Sequence, residues 1–162
     1  MQILQWKMKS KIGPLYLTAS RKGIQGVFWK KQSVPMAKAL YGAGAEVKIL
    51  ARAVRQLEEY FGGKRKKFNL PFDVEGTAFQ KKVWKELSKI PYAETNSYKD
   101  IASRIKNVKA VRAVGTANGM NPLCIIVPCH RVIANDGLLG GYSGGVGIKS
   151  KLLKLEQAAR IR

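Results

Sequence analysis

Acidic residues, cysteine and histidine are all scarce in this chain, and each shortage narrows what it can be. Ten Asp and Glu face thirty Lys and Arg, a formal charge of +20 over 162 residues. A lysine-rich surface adapted to heat usually carries matching glutamates for ion-pair networks. Here they are missing, so the charge is read as a field for polyanions, nucleic acid ahead of anionic membrane. Two cysteines, Cys124 and Cys129, and one histidine, His130, are too few for a Cys₄ or Cys₂His₂ zinc site. No metal and no cofactor are expected. If residues 124–129 run extended, their odd spacing puts the two thiols on opposite faces and disfavours a disulfide. A reducing compartment then follows, with Cys129 as the working thiol and Cys124 as a small buried apolar residue. No apolar run approaches the ~20 residues that span a bilayer. The N-terminus, Met1 to Lys7, lacks the basic-then-apolar layout of a signal peptide. The expectation is a soluble, cytoplasmic protein with no membrane partner.

Against these absences stands one segment, Ile125-Ile126-Val127-Pro128-Cys129-His130-Arg131-Val132-Ile133. Two apolar, β-branched runs enclose a proline, a thiol, an imidazole and a guanidinium. Proline fixes φ and withholds an amide donor, so a strand entering from Ile125 breaks at Pro128. A thiol beside a base, held at such a break, reads as a positioned nucleophile.

Hydrophobic residues make up 46 % of the chain, enough to bury a core in one large domain or two small ones, and the pattern along the chain favours two. The first domain, expected over 1–67, is strand-rich. Ile3 to Met8, Leu15 to Ala19 and Ile24 to Trp29 are β-prone runs separated by Gly13-Pro14 and Lys22-Gly23 turns. Val47, Leu50, Val54, Leu57 and Phe61 then recur at helical spacing until Gly62-Gly63. The basic run Lys64 to Lys67 is a connector, and Phe68, Leu70, Phe72 and Val74 alternate into an extended lead for the second domain, 68–162. That domain opens with a Thr77/Gln80 capping box and the stripe Phe79, Val83, Leu87, Ile90. Ser97 and Asp100 mark a second helix start. A third helix is expected from about Val108 to Ala117, with Ala110, Val111, Ala113, Val114 and Ala117 buried and Lys109, Arg112 and Thr116 on the other side. Two short helices joined by a tight turn, the second with a basic face, form a helix-turn-helix pattern. Asn121-Pro122 closes it, and the apolar strand follows.

Downstream, Gly137 to Gly147 is glycine-rich around Tyr142-Ser143. Ile148 separates Gly147 from Lys149, so no Walker A motif is present. A close-approach loop lining a small flat pocket and a plain surface loop both fit. Ile148, Leu152, Leu155 and Ala159 stripe a terminal helix that carries Glu156. Glu156 is a candidate carboxylate to orient His130, which in turn would activate Cys129. On residues alone, a structural histidine and a solvated glutamate remain equally open.

Pro128-Cys129-His130-Arg131-Val132-Ile133 resembles the active-site signature of the O6-alkylguanine-DNA alkyltransferases (methylated-DNA–protein-cysteine methyltransferases). Gly76-Thr77-Ala78-Phe79-Gln80, Val83-Trp84, Ile90-Pro91-Tyr92, Ser97-Tyr98, Ala110 to Gly115, Asn121-Pro122 and Gly141-Tyr142-Ser143-Gly144-Gly145 resemble further landmarks in order. The likeness is specific over roughly 68–160 and one of layout before that. It implies an α+β protein: a small ribonuclease-H-like sheet with a helix, then a mainly helical, winged helix-turn-helix-like domain. It also implies single-turnover DNA repair, in which Cys129 takes the alkyl group of O6-alkylguanine, with O4-alkylthymine left open as a substrate.

The same resemblance assigns roles by position. His130 would deprotonate Cys129 through a water, with Glu156 holding the imidazole. Tyr98 would donate its proton toward guanine N3, and Asn121 would brace the turn. Arg112 would fill the stack vacated by the flipped nucleotide, and Ala113, Lys109, Thr116 and Ser97 would contact the duplex. Pro128, Val132, Tyr142, Ser143 and Gly144 would line the base pocket. A monomer working on double-stranded DNA in the nucleoid is expected, with clustering along DNA left open. Some members carry zinc in the N-terminal domain, but no Cys or His precedes Cys124, so none is expected. Two rivals share some features: a helix-turn-helix regulator that senses alkylation through Cys129, and a cysteine hydrolase that would turn over.

Overall fold

The computed structural model describes residues 2–134 and 136–160, so the extreme ends of both expected domains lie outside it. The chain divides into two compact units, 1–75 and 76–162. The division falls after 75 rather than 67, because the extended segment 68–75 pairs within the first unit.

In that unit β1 (Leu4–Met8), β2 (Leu15–Ala19) and β3 (Ile24–Phe28) form an antiparallel sheet in sequence order. Leu15, Leu17, Ala19, Ile24 and Val27 are buried, and α1 (Ala45–Phe61) covers them with Leu50, Ala53, Val54, Leu57, Tyr60 and Phe61. Two buried glutamines anchor chain with no ladder of its own. Gln5 Nε2 donates to the carbonyls of Gln32 and Val34, both at 2.6 Å, and its Oε1 accepts from Gln32 N. Gln56 exchanges two 2.9 Å hydrogen bonds with the backbone of Asn69. The 68–75 segment then reaches β3, with Ile24 N donating to Pro71 O at 2.8 Å and Asp73 N to Ile24 O at 2.9 Å. Gly23 is required there, since a Cβ would lie 2.6 Å from Pro71 O.

The second unit holds α2 (Ala78–Leu87), β4 (Asn96–Ser97), α3 (Tyr98–Arg104), α4 (Val111–Gly119), a 3₁₀ turn at Cys129–Arg131, β5 (Val132–Ile133) and α5 (Val146–Arg160). Capping boxes at Thr77/Gln80 and Ser97/Asp100 start α2 and α3, each satisfying two otherwise orphaned donors. Both α2 and α3 pack on α4, and Trp84 Nε1 donates to Ala117 O at 2.8 Å.

Two expectations are corrected here. α4 begins at Val111 and buries only Val114, Ala117 and Asn118, while Val111 and Ala113 are exposed. The preceding residues Lys106 to Ala110 form turns instead, with Lys106 at φ +60°. The expected strand over 125–127 is a tight turn. Ile126 N bonds Cys124 O at 2.9 Å, Val127 N bonds Leu123 O at 2.8 Å, and Ile125 sits at φ +74°.

Candidate active site

Asn121 explains that turn. Its Nδ2 donates to Val127 O at 2.8 Å and its Oδ1 accepts from Leu123 N at 3.0 Å, so one side chain joins both arms. A β-branched residue in the left-handed region costs of order 1–3 kcal/mol unless its surroundings impose it. The Asn121 clamp imposes it. Cys129 N then bonds Val127 O at 2.8 Å and Arg131 N bonds Pro128 O at 3.0 Å, closing the 3₁₀ turn that presents Cys129, His130 and Arg131. All three are buried.

The turn also overturns the opposite-faces expectation for the two thiols. Both are free and buried, and Cys124 hydrogen-bonds Cys129. Cys124 Sγ lies 3.4 Å from Ser143 Oγ, the serine of the glycine-rich loop.

Beneath the turn sits Glu156 of α5, with no solvent exposure. Its Oε2 accepts from His130 Nε2 at 2.6 Å and Arg131 Nη2 at 3.0 Å. Its Oε1 accepts from Arg131 Nε at 2.8 Å and Ala93 N at 3.1 Å. Arg131 Nη1 caps the Ile90 carbonyl at 2.8 Å, and its guanidinium lies 5.5 Å from the Tyr92 ring centre. Burial alone would raise the Glu156 pKa, but the hydrogen bonds and charges of His130 and Arg131 outweigh it and hold the carboxyl at about 2. An ionised carboxylate only accepts, so His130 Nε2 carries the proton and Nδ1 is the lone-pair nitrogen. Nδ1 is buried and has no partner among the described residues. Burial pushes the imidazole below its ordinary value, against Glu156 and helped by the charges of Arg131 and Lys149, so it is neutral at neutral pH.

Cys129 is held well above the ordinary thiol value by the Cys124 hydrogen bond, burial and Cys124 charge, while Asn121 and the charge of Lys149 pull it down. The resting nucleophile is a thiol that needs a base, rather than a preformed thiolate. Lys149 is fully buried, and its Nζ donates to the carbonyls of Val132 at 2.6 Å, Leu139, and Gly141 at 3.2 Å. It ties the glycine-rich loop to β5. Burial, against the pull of Cys129, lowers its pKa to about 8.

The parallel pairing of β4 with β5, Asn96 to Val132 and Ser97 to Ile133, brings Tyr98 to the site as the first residue of α3. A Cβ on Gly140, at φ +71°, would lie 3.1 Å from Tyr98 Oη, so the loop needs glycine there. Lys149 Nζ is 6.0 Å from the ring centre. Burial first and the neighbouring Cys129 second raise the phenol pKa, which keeps its proton available.

Other expected site residues are spread more widely. Arg112, Ala113 and Thr116 are exposed on α4 and Lys109 is exposed just before it. The Ser97 hydroxyl caps α3 by accepting from Asp100 N at 3.0 Å. Tyr142, Ser143 and Gly144 lie on the loop, whose Gly145 N returns to Tyr142 O at 2.9 Å. Pro128 and Val132 flank the 3₁₀ turn.

The profile of the 6-O-methylguanine DNA methyltransferase ribonuclease-like domain matches residues 3–74, and that of its DNA binding domain matches 78–158. The chain belongs to the 6-O-methylguanine DNA methyltransferase family. A methylated-DNA–protein-cysteine methyltransferase of Methanosarcina barkeri is 46 % identical over 154 residues, covering 93 % of this chain and 94 % of that protein. The constitutive one of Bacillus subtilis is 53 % identical over 113 residues, covering 69 % and 68 %. The crystal structure of Mycobacterium tuberculosis OGT in complex with DNA superposes with a TM-score of 0.86 at 39 % identity, covering 96 % of this chain and 94 % of that one.

Within this family frame, sequence reasoning overlooked Lys149, and it noted Arg131 beside the thiol without its pairing to Glu156. Lys149 is basic in a chain with thirty Lys and Arg, where a cation reads as surface. A signal did exist: Arg131 lies inside an apolar run, and Lys149 follows Ile148 one turn before Leu152 on the buried stripe.

His130 and Glu156 both bind protons more weakly in the folded protein than at their ordinary values of 6.5 and 4.5. Their stabilising contribution is therefore full above those values. It is lost on acidification, first through the imidazole and then as pH falls from 4.5 toward about 2. Glu156→Gln leaves the Arg131 guanidinium buried without its counter-charge, at an expected cost of about 3–5 kcal/mol at pH 7. It should also flatten the acid limb of the stability profile. Denaturant titrations of both proteins across that range check this, and equal stability at pH 7 would contradict it.

Proposed function

We propose that this protein repairs DNA by moving the alkyl group of O6-alkylguanine onto its own Cys129 sulfur, once per molecule. The observation that carries the reading is a buried thiol one residue before a buried imidazole, whose Nε2 is held at 2.6 Å by Glu156 and whose Nδ1 has no partner among the described residues. His130 Nδ1 takes the thiol proton, directly or through one water, as Cys129 Sγ attacks the alkyl carbon. The S–C bond forms while the C–O6 bond breaks, and its electron pair passes into the guanine. Tyr98 donates its proton toward guanine N3, offsetting that charge, and is reprotonated from the imidazolium through solvent. Guanine is left in the DNA and a thioether on the protein.

The thioether has no facile leaving route at neutral pH, so the molecule is spent. Asn121 holds the turn, and Pro128, Val132, Tyr142, Ser143 and Gly144 form the base pocket. The reacting carbon is inaccessible within a duplex, so the nucleotide must be flipped at a cost of a few kcal/mol. Arg112 is exposed on α4 and enters the stack in its place, while Lys109, Ala113, Thr116 and Ser97 lie against the backbone. The +20 charge supplies sequence-independent attraction to phosphate. Family membership, and a relative of high similarity solved with DNA, favour this over a regulator or a hydrolase. The protein acts as a monomer in the nucleoid. No helix among the described residues is long and apolar enough to cross a membrane.

Mass spectrometry after mixing the protein with duplex DNA bearing one O6-methylguanine tests this directly. One methyl group on the peptide carrying Cys129, saturating at one per chain and absent in Cys129→Ser, is the expected result. An unmodified protein with the lesion intact would overturn it. Lys149 acts through others, by holding the loop and favouring the thiolate. Lys149→Met should slow transfer by roughly 10- to 100-fold, since misplacement of a pocket by about 1 Å has that scale of effect. It should also move the pH profile of Cys129 alkylation by iodoacetamide to higher pH. An unmoved profile would limit Lys149 to packing.

A further inference from the structure

The turn that presents Cys129 also delivers a second thiol to it, which the proposed repair chemistry does not use. Cys124 and Cys129 are both buried and hydrogen-bonded to one another, and Asn121 attends both. Cys124 Sγ lies 3.9 Å from the Asn121 carbonyl oxygen, while the Asn121 side chain hydrogen-bonds Cys129. The backbone between them is already folded back, with Cys124 bridged to Val127 and Val127 O accepting from Cys129 N at 2.8 Å. Two buried thiols on one folded-back turn, one hydrogen-bonding the other, need little movement to bond.

We propose that Cys124 and Cys129 form a reversible disulfide when the protein meets a peroxide. The peroxide converts the Cys129 thiol to a sulfenic acid and leaves as water. The Cys124 thiol then attacks that sulfur and expels a second water, so two thiols and one peroxide give one disulfide and two waters. The two electrons lost by the sulfurs reduce the O–O bond. His130 is the base at hand for the first step, as Nδ1 has no other partner among the described residues.

The closed loop is short, so the bond removes little entropy from the unfolded chain. Small thiols can therefore reduce it, which suits a transient bond better than a structural staple. While it lasts, no thiol faces the substrate. The Cys124 sulfur is then drawn from its 3.4 Å contact with Ser143, while Lys149 still holds the loop. Without Cys124 the sulfenic acid has no partner and proceeds to sulfinic and sulfonic acids, which small thiols do not reverse. Cys124 thus protects a sulfur that the protein can use only once. That consequence for repair rests on the function proposed above, whereas the disulfide itself does not.

The test is intact-mass and peptide mass spectrometry of the native, DNA-free protein after brief treatment with hydrogen peroxide, with free thiols counted in parallel. The expected result is loss of two hydrogens, disappearance of both thiols, and one linked peptide pair within a single chain, all reversed by dithiothreitol. Methyl transfer should fall by roughly tenfold or more and recover with the reductant. Cys124→Ser should instead gain oxygen atoms on the Cys129 peptide and recover less activity. Oxygen addition to the parent protein without loss of two hydrogens, links between chains, or no change would each overturn the proposal. A disulfide in a protein whose reduced form transfers no methyl would sustain it and sink the repair reading instead.

Discussion

Glu156 is an ionised carboxylate with no solvent around it, and hydrogen bonds from Arg131, His130 and Ala93 make that state tolerable. A buried ion pair adds little net stability over an apolar replacement, but removing one partner is severe. The arrangement therefore specifies geometry more than it stabilises. Because Arg131 and His130 are consecutive and both must reach one carboxylate, the chain at 129–131 is held as a 3₁₀ turn. The residue before them, Cys129, has its place set by the same constraint. Gln157 extends the hold through a 2.7 Å bond to Ala93 O, fixing the 91–93 corner against α5.

The electrostatic outcome follows from burial. A thiol among apolar groups and beside a second thiol stays protonated, and an imidazole in the same pocket stays neutral. Such a pair reacts only as the thiol proton moves to the imidazole. That restraint suits a protein whose product cannot be undone, since a standing thiolate would be consumed by any passing electrophile. Lys149 and Asn121 act in the other direction, favouring the thiolate once it forms.

Much of this was readable from residue order. The capping boxes at Thr77/Gln80 and Ser97/Asp100 placed two helix starts correctly, whereas the buried face of α5 is Lys149, Leu152, Glu156 and Ala159, with Ile148 and Leu155 of the expected stripe only half-buried. What local pattern could not supply was long-range compensation. Ile125-Ile126-Val127 has strand composition, yet Asn121 bonds both Leu123 N and Val127 O and forces a left-handed Ile125 between them. The expected separation of the thiols failed with it. Val111 and Ala113 read as core because they are apolar, whereas the packing of α2 and α3 buries only one side of so short a helix. Lys149 was masked by the chain's own basicity. In the first unit, no periodicity reveals that Gln5 and Gln56 stand in for missing strand partners.

The central claim is that Glu156 sets His130 as a neutral imidazole with its proton on Nε2, leaving Nδ1 to serve Cys129. The chain contains a single histidine, so its ring nitrogens give one unambiguous pair of signals. Nitrogen-15 NMR of histidine-labelled protein at pH 7 measures the state directly. The account predicts one protonated and one unprotonated nitrogen, with ring couplings assigning the proton to Nε2, and the same pattern persisting below the pH at which free histidine titrates. A doubly protonated ring at pH 7, or a proton on Nδ1, would contradict it.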